Sequence, residues 1–387
     1  MLDRLRDIHV TCSPGLVPYL VHEIQELGMP AEPIAGTVVR TEGIWPDTWR
    51  LCLELRTAFQ VLYPLASFPC DSPQTLYHQV RKIAWDQVIP PRGYITIESR
   101  VDHPSINNSM FPNLRVKDAI CDELLKIRGE RPDSGSEKRG LTIFLLWRGD
   151  RATIALNAAG RKLTDRGYRR MPHRAPLRES LAAAMVMESG WYGQGPLVLP
   201  MCGSGTLAIE AALMALDRAP GSVRPHFGFE RALGFDEELW SGMRHESRKR
   251  ARRTIDAQII ASDIDPAAIE AARHNAQTAG VENLIEFRVE DFEATPIPEP
   301  GESGGVLIVN PEYGERLGNL DELHETYARL GDFFKQRCGG YQCHVLSGDA
   351  GLSQSIGLRA SRRVPLWNAE IECRLLQYDV WAGSRDE

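Results

Sequence analysis

The sequence lacks the features that mark exported, membrane-bound or metal-binding proteins. Its 387 residues contain no apolar run of membrane-spanning length and do not begin with a charged region followed by an apolar core. Its eight cysteines form no CxxC pair and have no set of histidines near them. We therefore expect a soluble, cytoplasmic protein with reduced, mostly buried thiols, no metal ion and no membrane partner.

The sequence also lacks an excess of basic residues. Its 45 Lys and Arg residues face 52 Asp and Glu residues, which gives a formal net charge of −7. This charge excludes a protein coated with basic surface, but it is compatible with a local basic groove. The length and the 43% hydrophobic content suit two or three domains.

The first half of the chain alternates strand-like and helix-like segments. Residues 8–28 are typical of a strand, a turn at Ser13-Pro14-Gly15 and an amphipathic helix ending at Gly28. The same alternation continues to about Leu156, and the polar stretch 129–140 is interpreted as a surface loop. The pattern predicts compact α/β layers, and it assigns no strand between the helices predicted over 46–54 and 72–83.

From Glu179 onward the pattern is that of a doubly wound sheet. Residues 196–216 combine an apolar run of strand length, a Gly-Ser-Gly turn and a helix rich in Ala and Leu. Strand-like and helix-like segments then alternate at least four times, and an apolar pair of strands over 361–382 closes the chain. This alternation predicts a mostly parallel sheet that is covered on both faces and binds ligands at the carboxyl ends of its strands.

Three loops at consecutive strand ends predict a nucleoside cofactor. The glycine loop favours close approach of a ligand carboxylate to backbone N–H groups. Asp263 suits ribose hydroxyls, whereas Asp265 before Pro266 suits the N-cap of the next helix. A carboxylate beside an aromatic ring suits adenine. The predicted cofactor-binding residues are Pro200, Cys202, Gly203, Ser204, Gly205, Thr206, Asp263, Ile264, Asp291 and Phe292.

The fourth strand end distinguishes between cofactors. Gly203, Gly205 and Ala208 match an allowed variant of the dinucleotide fingerprint, so the glycine loop alone does not exclude NAD. Hydride transfer, however, has no use for Asn310-Pro311-Glu312-Tyr313. The Asn310 side-chain carbonyl and the Pro311 backbone carbonyl can accept both N–H bonds of an exocyclic base amine, which frees its lone pair toward a methyl sulfonium, while Tyr313 stacks on the extruded base.

The sequence resembles the THUMP-domain class I methyltransferases, especially the bacterial 23S rRNA guanine-N2 methyltransferases. The similar stretches cover nearly the whole chain and include VTCSPGLVPYLVHEIQELG, MCGSGTLAIEAALMA, ASDIDPAAIEAARHNAQTAGV and NPEYGERLG. The resemblance implies an S-adenosylmethionine-dependent enzyme with a Rossmann-like methyltransferase domain preceded by ferredoxin-like and THUMP RNA-binding pieces. It suggests a division into residues 1–60 (ferredoxin-like), 61–158 (THUMP), 159–178 (basic linker) and 179–387 (methyltransferase). Some members of the family carry a second methyltransferase domain after the one that this chain contains.

Under this interpretation, local basic residues follow the RNA backbone. The predicted RNA-binding residues are Arg115 and Lys117 on one helix, and Arg166, Arg169 and Arg170 in the linker. The cluster from Arg248 to Arg253 suits a solvated face equally well.

Two positions depart from the family pattern and leave alternatives open. Leu199 precedes Pro200 where the family has Asp, and Glu312 replaces the second proline of Asn-Pro-Pro-Tyr. The leading hypothesis is methylation of guanine N2 in 23S rRNA. The alternatives are methylation of tRNA guanine N2 or of adenine N6, and a catalytically silent RNA-binding relative.

Overall fold

The computed structural model describes residues 2–104, 106, 108, 110–171, 177–312 and 320–381. The helices in this part of the chain are α1 (Val17–Glu26), α2 (Trp45–Glu54), α3 (Pro73–Val80), α4 (Met110–Arg128), α5 (Glu179–Glu188), α6 (Thr206–Ala215), α7 (Glu237–Arg250), α8 (Pro266–Ala279), α9 (Leu320–Arg337) and α10 (Ala350–Ser355). Short 3-10 helices lie at Trp85–Gln87, Pro220–Val223, Gly228–Arg231, Glu282–Leu284 and Phe292–Ala294.

The described strands belong to two sheets. They are β1 (Arg6–Cys12), β2 (Glu32–Ala35), β3 (Val38–Gly43), β4 (Ala58–Pro69), β5 (Tyr94–Asp102), β6 (Asp133–Ser134), β7 (Leu141–Arg148), β8 (Arg151–Asn157), β9 (Leu197–Leu199), β10 (Ile259–Asp263), β11 (Ile285–Val289), β12 (Gly305–Val309), β13 (Tyr341–Ser347), β14 (Arg362–Asn368) and β15 (Ile371–Asp379). The chain divides into two compact units, one of residues 1–12, 20–165 and 224–246, the other of residues 13–19, 166–223 and 247–387.

The first unit contains a sheet of strand order β2-β3-β1-β4-β8-β7-β5-β6. Strand β4 is twelve residues long and pairs antiparallel with both β1 and β8, so the sheet continues across the predicted boundary after residue 60. The register between β4 and β8 shifts between Pro64 and Ala66. A bulge is where a strand tolerates proline, which lacks the N–H needed for regular pairing.

The segment 224–246 belongs to the first unit, although the predicted division places it inside the methyltransferase domain. Its backbone N–H groups at Phe229 and Leu233 donate to the carbonyls of Ala158 and Val88, both at 2.9 Å. The Phe229 ring stacks on Trp49 with centroids 5.3 Å apart, and both side chains are fully buried. A stretch of chain between β9 and β10 therefore completes the core of the unit that carries β1 to β8.

The second unit contains a sheet of strand order β11-β10-β9-β12-β13-β15-β14. The first five strands of this order pair in parallel, β15 runs antiparallel to β13, and β14 antiparallel to β15. The predicted doubly wound sheet and its closing pair are thus confirmed. Strand β9 lies between β10 and β12, which makes the carboxyl end of β9 the switch point where such sheets bind ligands.

Three further sequence predictions concern the burial of the cysteines, membrane-spanning segments and metal binding. Seven of the eight cysteines are buried, as predicted. No helix in the described ranges is both long and apolar enough to cross a membrane. Among those same residues, no group of three or more His, Cys, Asp or Glu side chains is placed to hold a metal ion.

Candidate active site

The glycine loop joins the end of β9 to the first residue of α6. Gly203 and Gly205 both have left-handed backbone, with φ of +53° and +80°, which favours glycine because it has no Cβ. A Cβ added to Gly205 would lie 2.9 Å from the Cβ of Ala272 on α8, whereas one added to Gly203 would meet no described atom within 4 Å. Gly205 therefore permits close packing on α8, and the open side of Gly203 leaves its backbone accessible.

Asp263, the last residue of β10, connects two of the predicted loops. Its Oδ2 accepts the backbone N–H of Gly203 at 2.9 Å, and its Oδ1 accepts that of Asp265 at 3.0 Å. A carboxylate oxygen has lone pairs for more than one donor, so these bonds leave acceptor capacity for a ligand. The carboxylate fixes the shape of the glycine loop, a role that the sequence did not predict.

The next two residues of this loop, Ile264 and Asp265, differ in their surroundings. The Oδ1 of Asp265 accepts the N–H of Ala267 at 2.9 Å, which confirms the predicted N-cap of α8. The side chain of Ile264 is 69% exposed at the carboxyl end of β10. An exposed branched side chain at this edge offers an apolar surface to a flat ring, so Ile264 fits its predicted place in a cofactor site.

Phe292 has a buried ring that packs against α9. Its side chain is 5% exposed, its ring lies edge-on to Phe333 at 5.8 Å, and the guanidinium of Arg329 covers it at 4.9 Å. Because both contacts come from α9, the ring belongs to the packing between this helix and the loop after β11. The ring therefore has little free surface for adenine, and the cofactor contact of Phe292 stays a prediction. The neighbouring Asp291 is one-third exposed and remains available to a ligand.

Asn310 follows β12 directly and carries an unusual polar atom. Its side-chain Oδ1 is buried, yet it accepts no hydrogen bond from the residues that the structure describes. Buried polar atoms are nearly always paired in folded proteins, so such an orphan indicates a missing partner or a functional role. Pro311 is buried and Glu312 is exposed. Tyr313, predicted to stack on the base, lies outside the described residues.

The two departures from the family pattern lie in different environments, since Glu312 is exposed and Leu199 is buried. Leu199 is fully buried in β9, opposite Ala261 of β10 in the parallel register. An unpaired carboxylate at such a position would be costly, and the leucine instead adds to the sheet's apolar interior. In the glycine loop itself, Pro200 is buried, and burial raises the pKa of the partly exposed Cys202 thiol.

The amide of Asn275 on α8 is a feature of the site that the sequence analysis missed. Its Oδ1 accepts the backbone N–H groups of Arg170 and Met171 at 2.9 and 3.0 Å. Its Nδ2 donates to the carbonyls of Met171 at 2.9 Å and Ser204 at 3.2 Å. This fully buried side chain ties the segment before residue 172 to the glycine loop. A lone Asn among the alanines of α8 is the only signal that the sequence offered.

Two of the predicted RNA-binding arginines make contacts within the second unit, and one of them is fully buried. Arg166 is 1% exposed, with its Nε 3.6 Å from Oε1 of Glu210. Arg169 donates to the hydroxyl of Thr206 at 3.1 Å and lies 3.2 Å from Oε1 of Glu179. Burial raises the pKa of Glu179 to about 7, and Arg169 opposes that shift. The prediction for Arg166 is wrong because its charge is committed to Glu210, and Arg169 acts as a support for the first residue of α6.

The other basic residues are placed differently. Arg170 has an exposed side chain on an anchored backbone. On α4, Arg115 lies over the ring of Tyr77 at 4.6 Å and donates to Gln74 at 3.1 Å, and Lys117 is one-third exposed. These three side chains remain candidates for contact with phosphate groups.

Comparisons with known proteins agree with this arrangement. Residues 166–377 match the family model described as "RMKL-like, methyltransferase domain", residues 7–62 the "RlmL ferredoxin-like domain" and residues 70–157 the "THUMP domain". The chain is 38% identical over 379 residues to "Ribosomal RNA large subunit methyltransferase K/L" of Syntrophotalea carbinolica, covering 96% of this chain and 53% of that protein. The chain thus spans about half the length of the curated relatives it matches.

Solved structures share the fold over nearly the whole chain. SMU.472, a putative methyltransferase complexed with SAH, is 26% identical with a TM-score of 0.87, covering 99% of this chain and 100% of that one. A predicted N6-adenine-specific DNA methylase from Listeria monocytogenes is 26% identical with a TM-score of 0.86, covering 98% and 97%. With its matching family models and the four strand ends described above, the chain belongs to the RMKL-like methyltransferase family.

Proposed function

We propose that this protein transfers a methyl group from S-adenosylmethionine to the exocyclic N2 amine of a guanine in RNA, and that this RNA is 23S rRNA. The observation that carries the proposal is the buried, unpartnered Oδ1 of Asn310 among the described residues, at the end of β12. Strand β12 pairs with β9, so Asn310 and the glycine loop follow neighbouring strands at the same edge of the sheet.

The residues at this edge fit the cofactor. The backbone N–H groups of the glycine loop suit the carboxylate of its methionine part, and Asp263 retains acceptor capacity for ribose hydroxyls. Exposed Ile264 offers an apolar face to the adenine, and Asp291 an acceptor for its amine. When bound, S-adenosylmethionine supplies an electrophilic methyl group on a sulfonium. The crystal structure of SMU.472, which is similar over the whole chain, was obtained with SAH.

Asn310 and Pro311 activate the nucleophile. The lone pair of a guanine amine is delocalised into the ring, which makes the nitrogen a poor nucleophile. When Asn310 Oδ1 and the Pro311 carbonyl each accept a hydrogen bond from one N–H group of this amine, its nitrogen becomes more tetrahedral. The lone pair of the nitrogen then points away from the ring. A base must leave its helix to reach such a pocket. The chain thereby contributes orientation and hydrogen-bond acceptance, which are most effective when preorganised.

The substrate assignment rests on relatives and on the first unit. The curated relatives are named ribosomal RNA large subunit methyltransferases, and residues 70–157 match the THUMP model. We propose that Arg115, Lys117 and Arg170 contact the RNA backbone, since each has an exposed or partly exposed cationic side chain. Phosphate contacts of this kind position a substrate without reading its sequence.

The decisive experiment is transfer of labelled methyl from S-adenosylmethionine to unmodified 23S rRNA, 16S rRNA and tRNA, followed by nucleoside analysis. The proposal predicts N2-methylguanosine in 23S rRNA. N2-methylguanosine in tRNA alone would show that the substrate is tRNA and not 23S rRNA. N6-methyladenosine would show that the methylated base is adenine and not guanine. Calorimetric titration with the cofactor completes the test, because cofactor binding without transfer to any RNA would indicate a silent RNA-binding relative.

A further inference from the structure

Arg329 of α9 holds one oxygen of the Asp291 carboxylate. Its Nη2 donates to Asp291 Oδ1 at 3.0 Å and to Glu293 Oε2 at 2.5 Å. The backbone N–H of Glu293 also donates to Asp291 Oδ1, at 2.9 Å. One oxygen of this carboxylate therefore has two donors, while Oδ2 has no hydrogen bond to the described residues.

The same guanidinium is fixed in place by a second contact. It lies over the ring of Phe292 at 4.9 Å, and this ring packs edge-on against Phe333, one turn further along α9. A planar guanidinium that stacks on a ring and binds a carboxylate has little freedom to rotate. Together with the backbone N–H of Glu293, α9 thus sets the rotamer of Asp291 in the absence of a ligand.

We propose that Arg329 is a positioning residue for adenine recognition: by saturating Oδ1 of Asp291 it directs Oδ2 toward the 6-amino group of the cofactor. The inference rests on the proposed function, since it requires a nucleoside cofactor at this edge. Its consequence is selectivity for a 6-amino purine over a 6-oxo purine. An oriented carboxylate accepts a hydrogen bond from the 6-amino group of adenine. In hypoxanthine it would face the 6-oxo group, which is itself an acceptor.

The ion pairs of Arg329 with Asp291 and Glu293 are too exposed to contribute much to the stability of the fold. The side chains of Arg329, Asp291 and Glu293 are 39%, 34% and 47% exposed, and ion pairs at such positions contribute little to folding. Replacing Arg329 should therefore leave the melting temperature nearly unchanged while loosening Asp291. This separation makes a positioning role distinguishable from a structural one.

The test compares the dissociation constants of S-adenosylhomocysteine and S-inosylhomocysteine by calorimetry in the full chain. The wild type should prefer the adenosyl ligand, and Asp291→Asn should reduce that preference about tenfold, as expected for a hydrogen bond to a charged group. Arg329→Leu should reduce it about fivefold, since the geometry is loosened and the acceptor is kept. Arg329→Lys should retain part of the preference.

Arg337→Leu provides a matched control. Arg337 lies on the same helix and donates to the backbone carbonyl of Glu293 at 3.1 Å, but not to Asp291. Its replacement should leave the ligand preference unchanged. An unchanged or increased preference in Arg329→Leu, with a wild type that binds and discriminates, would overturn the inference. Failure of the wild type to bind either ligand would instead contradict the proposed function.

Discussion

Arg166 and Glu210 form an ion pair in the interior of the second unit. The two side chains are 1% and 0% exposed, and Nε of Arg166 lies 3.6 Å from Oε1 of Glu210. The hydroxyl of the fully buried Tyr168 donates to the same oxygen at 3.0 Å. Since Glu210 lies on α6, this pair attaches the segment before residue 172 to the helix that follows the glycine loop. A stretch that looks like a basic linker is therefore part of the folded core.

Replacing Arg166 should destabilise the protein, because Glu210 would remain buried without its cation. Arg166→Met should lower the free energy of unfolding of the second unit by about 3 kcal/mol. Arg170→Met, at an exposed side chain, should change it by less than about 0.5 kcal/mol and should weaken RNA binding. Urea unfolding followed by circular dichroism, with filter binding of RNA, measures both. Equal stability of the two variants would contradict the assignment of Arg166 to the interior.

Gly205→Ala and Gly203→Ala separate backbone strain from packing. Both positions have left-handed backbone, which costs a residue with a Cβ about 1 kcal/mol. Only at Gly205 would the new methyl lie 2.9 Å from the Cβ of Ala272, and such overpacking adds about 1–3 kcal/mol. Gly205→Ala should therefore show the larger loss in thermal stability. Thermal melts of the two variants test this order.

Asn310→Ala should separate chemistry from cofactor binding. The Asn310 Oδ1 is buried without a partner among the described residues, so its loss removes no hydrogen bond to any of them. We expect kcat to fall at least about a hundredfold, as when a preorganised hydrogen-bonding group is removed, with the Kd for S-adenosylhomocysteine changed less than about twofold. Single-turnover methyl transfer and calorimetry measure the two quantities. Retained turnover would show that the amine is activated by another group.

The sequence predicts the second unit well because its fold is specified locally. Each parallel strand is a short apolar run followed by a polar or glycine-rich loop, as in the stretch that contains Gly203 and Gly205. Asp265 before Pro266 marks the start of α8, and the structure confirms it. Parallel pairing then brings all these loops to one edge of the sheet. The topology thus assembles the site from loops that can each be recognised in the sequence.

Features that depend on distant contacts were not predictable from the pattern. Strand β4 contains Pro64, and only its bulged pairing with β8 shows how a proline fits there. Phe292 and Arg166 look like surface residues in the sequence, since a loop aromatic and a basic run usually face solvent. Their burial is decided by α9 and by Glu210, which are 28 or more residues away in the chain. The carboxylate of Asp263 likewise gains its structural role from Gly203 in a different loop.

The buried His344 of β13 should make the stability of the second unit depend on pH. Its side chain is 1% exposed, and neither ring nitrogen has a hydrogen-bond partner in the part of the chain that the structure describes. Burial lowers the pKa of His344 to about 4, with Arg362 lowering it further and Asp379 opposing the shift. Between pH 6.5 and 4 the unfolded chain therefore binds a proton that the folded chain does not.

It follows that stability is lost as the pH falls through this window, by up to about 3 kcal/mol at its lower end. His344→Leu should remove this dependence, and at pH 7.5 it should be no less stable than the wild type, because an unpartnered polar ring is replaced by an apolar side chain. His274→Leu, at an exposed position on α8, should keep the wild-type dependence. Urea unfolding at pH 7.5, 6.5, 5.5 and 4.5 compares the three proteins. Parallel curves for His344→Leu and the wild type would mean that another group, and not His344, is responsible for any acid sensitivity.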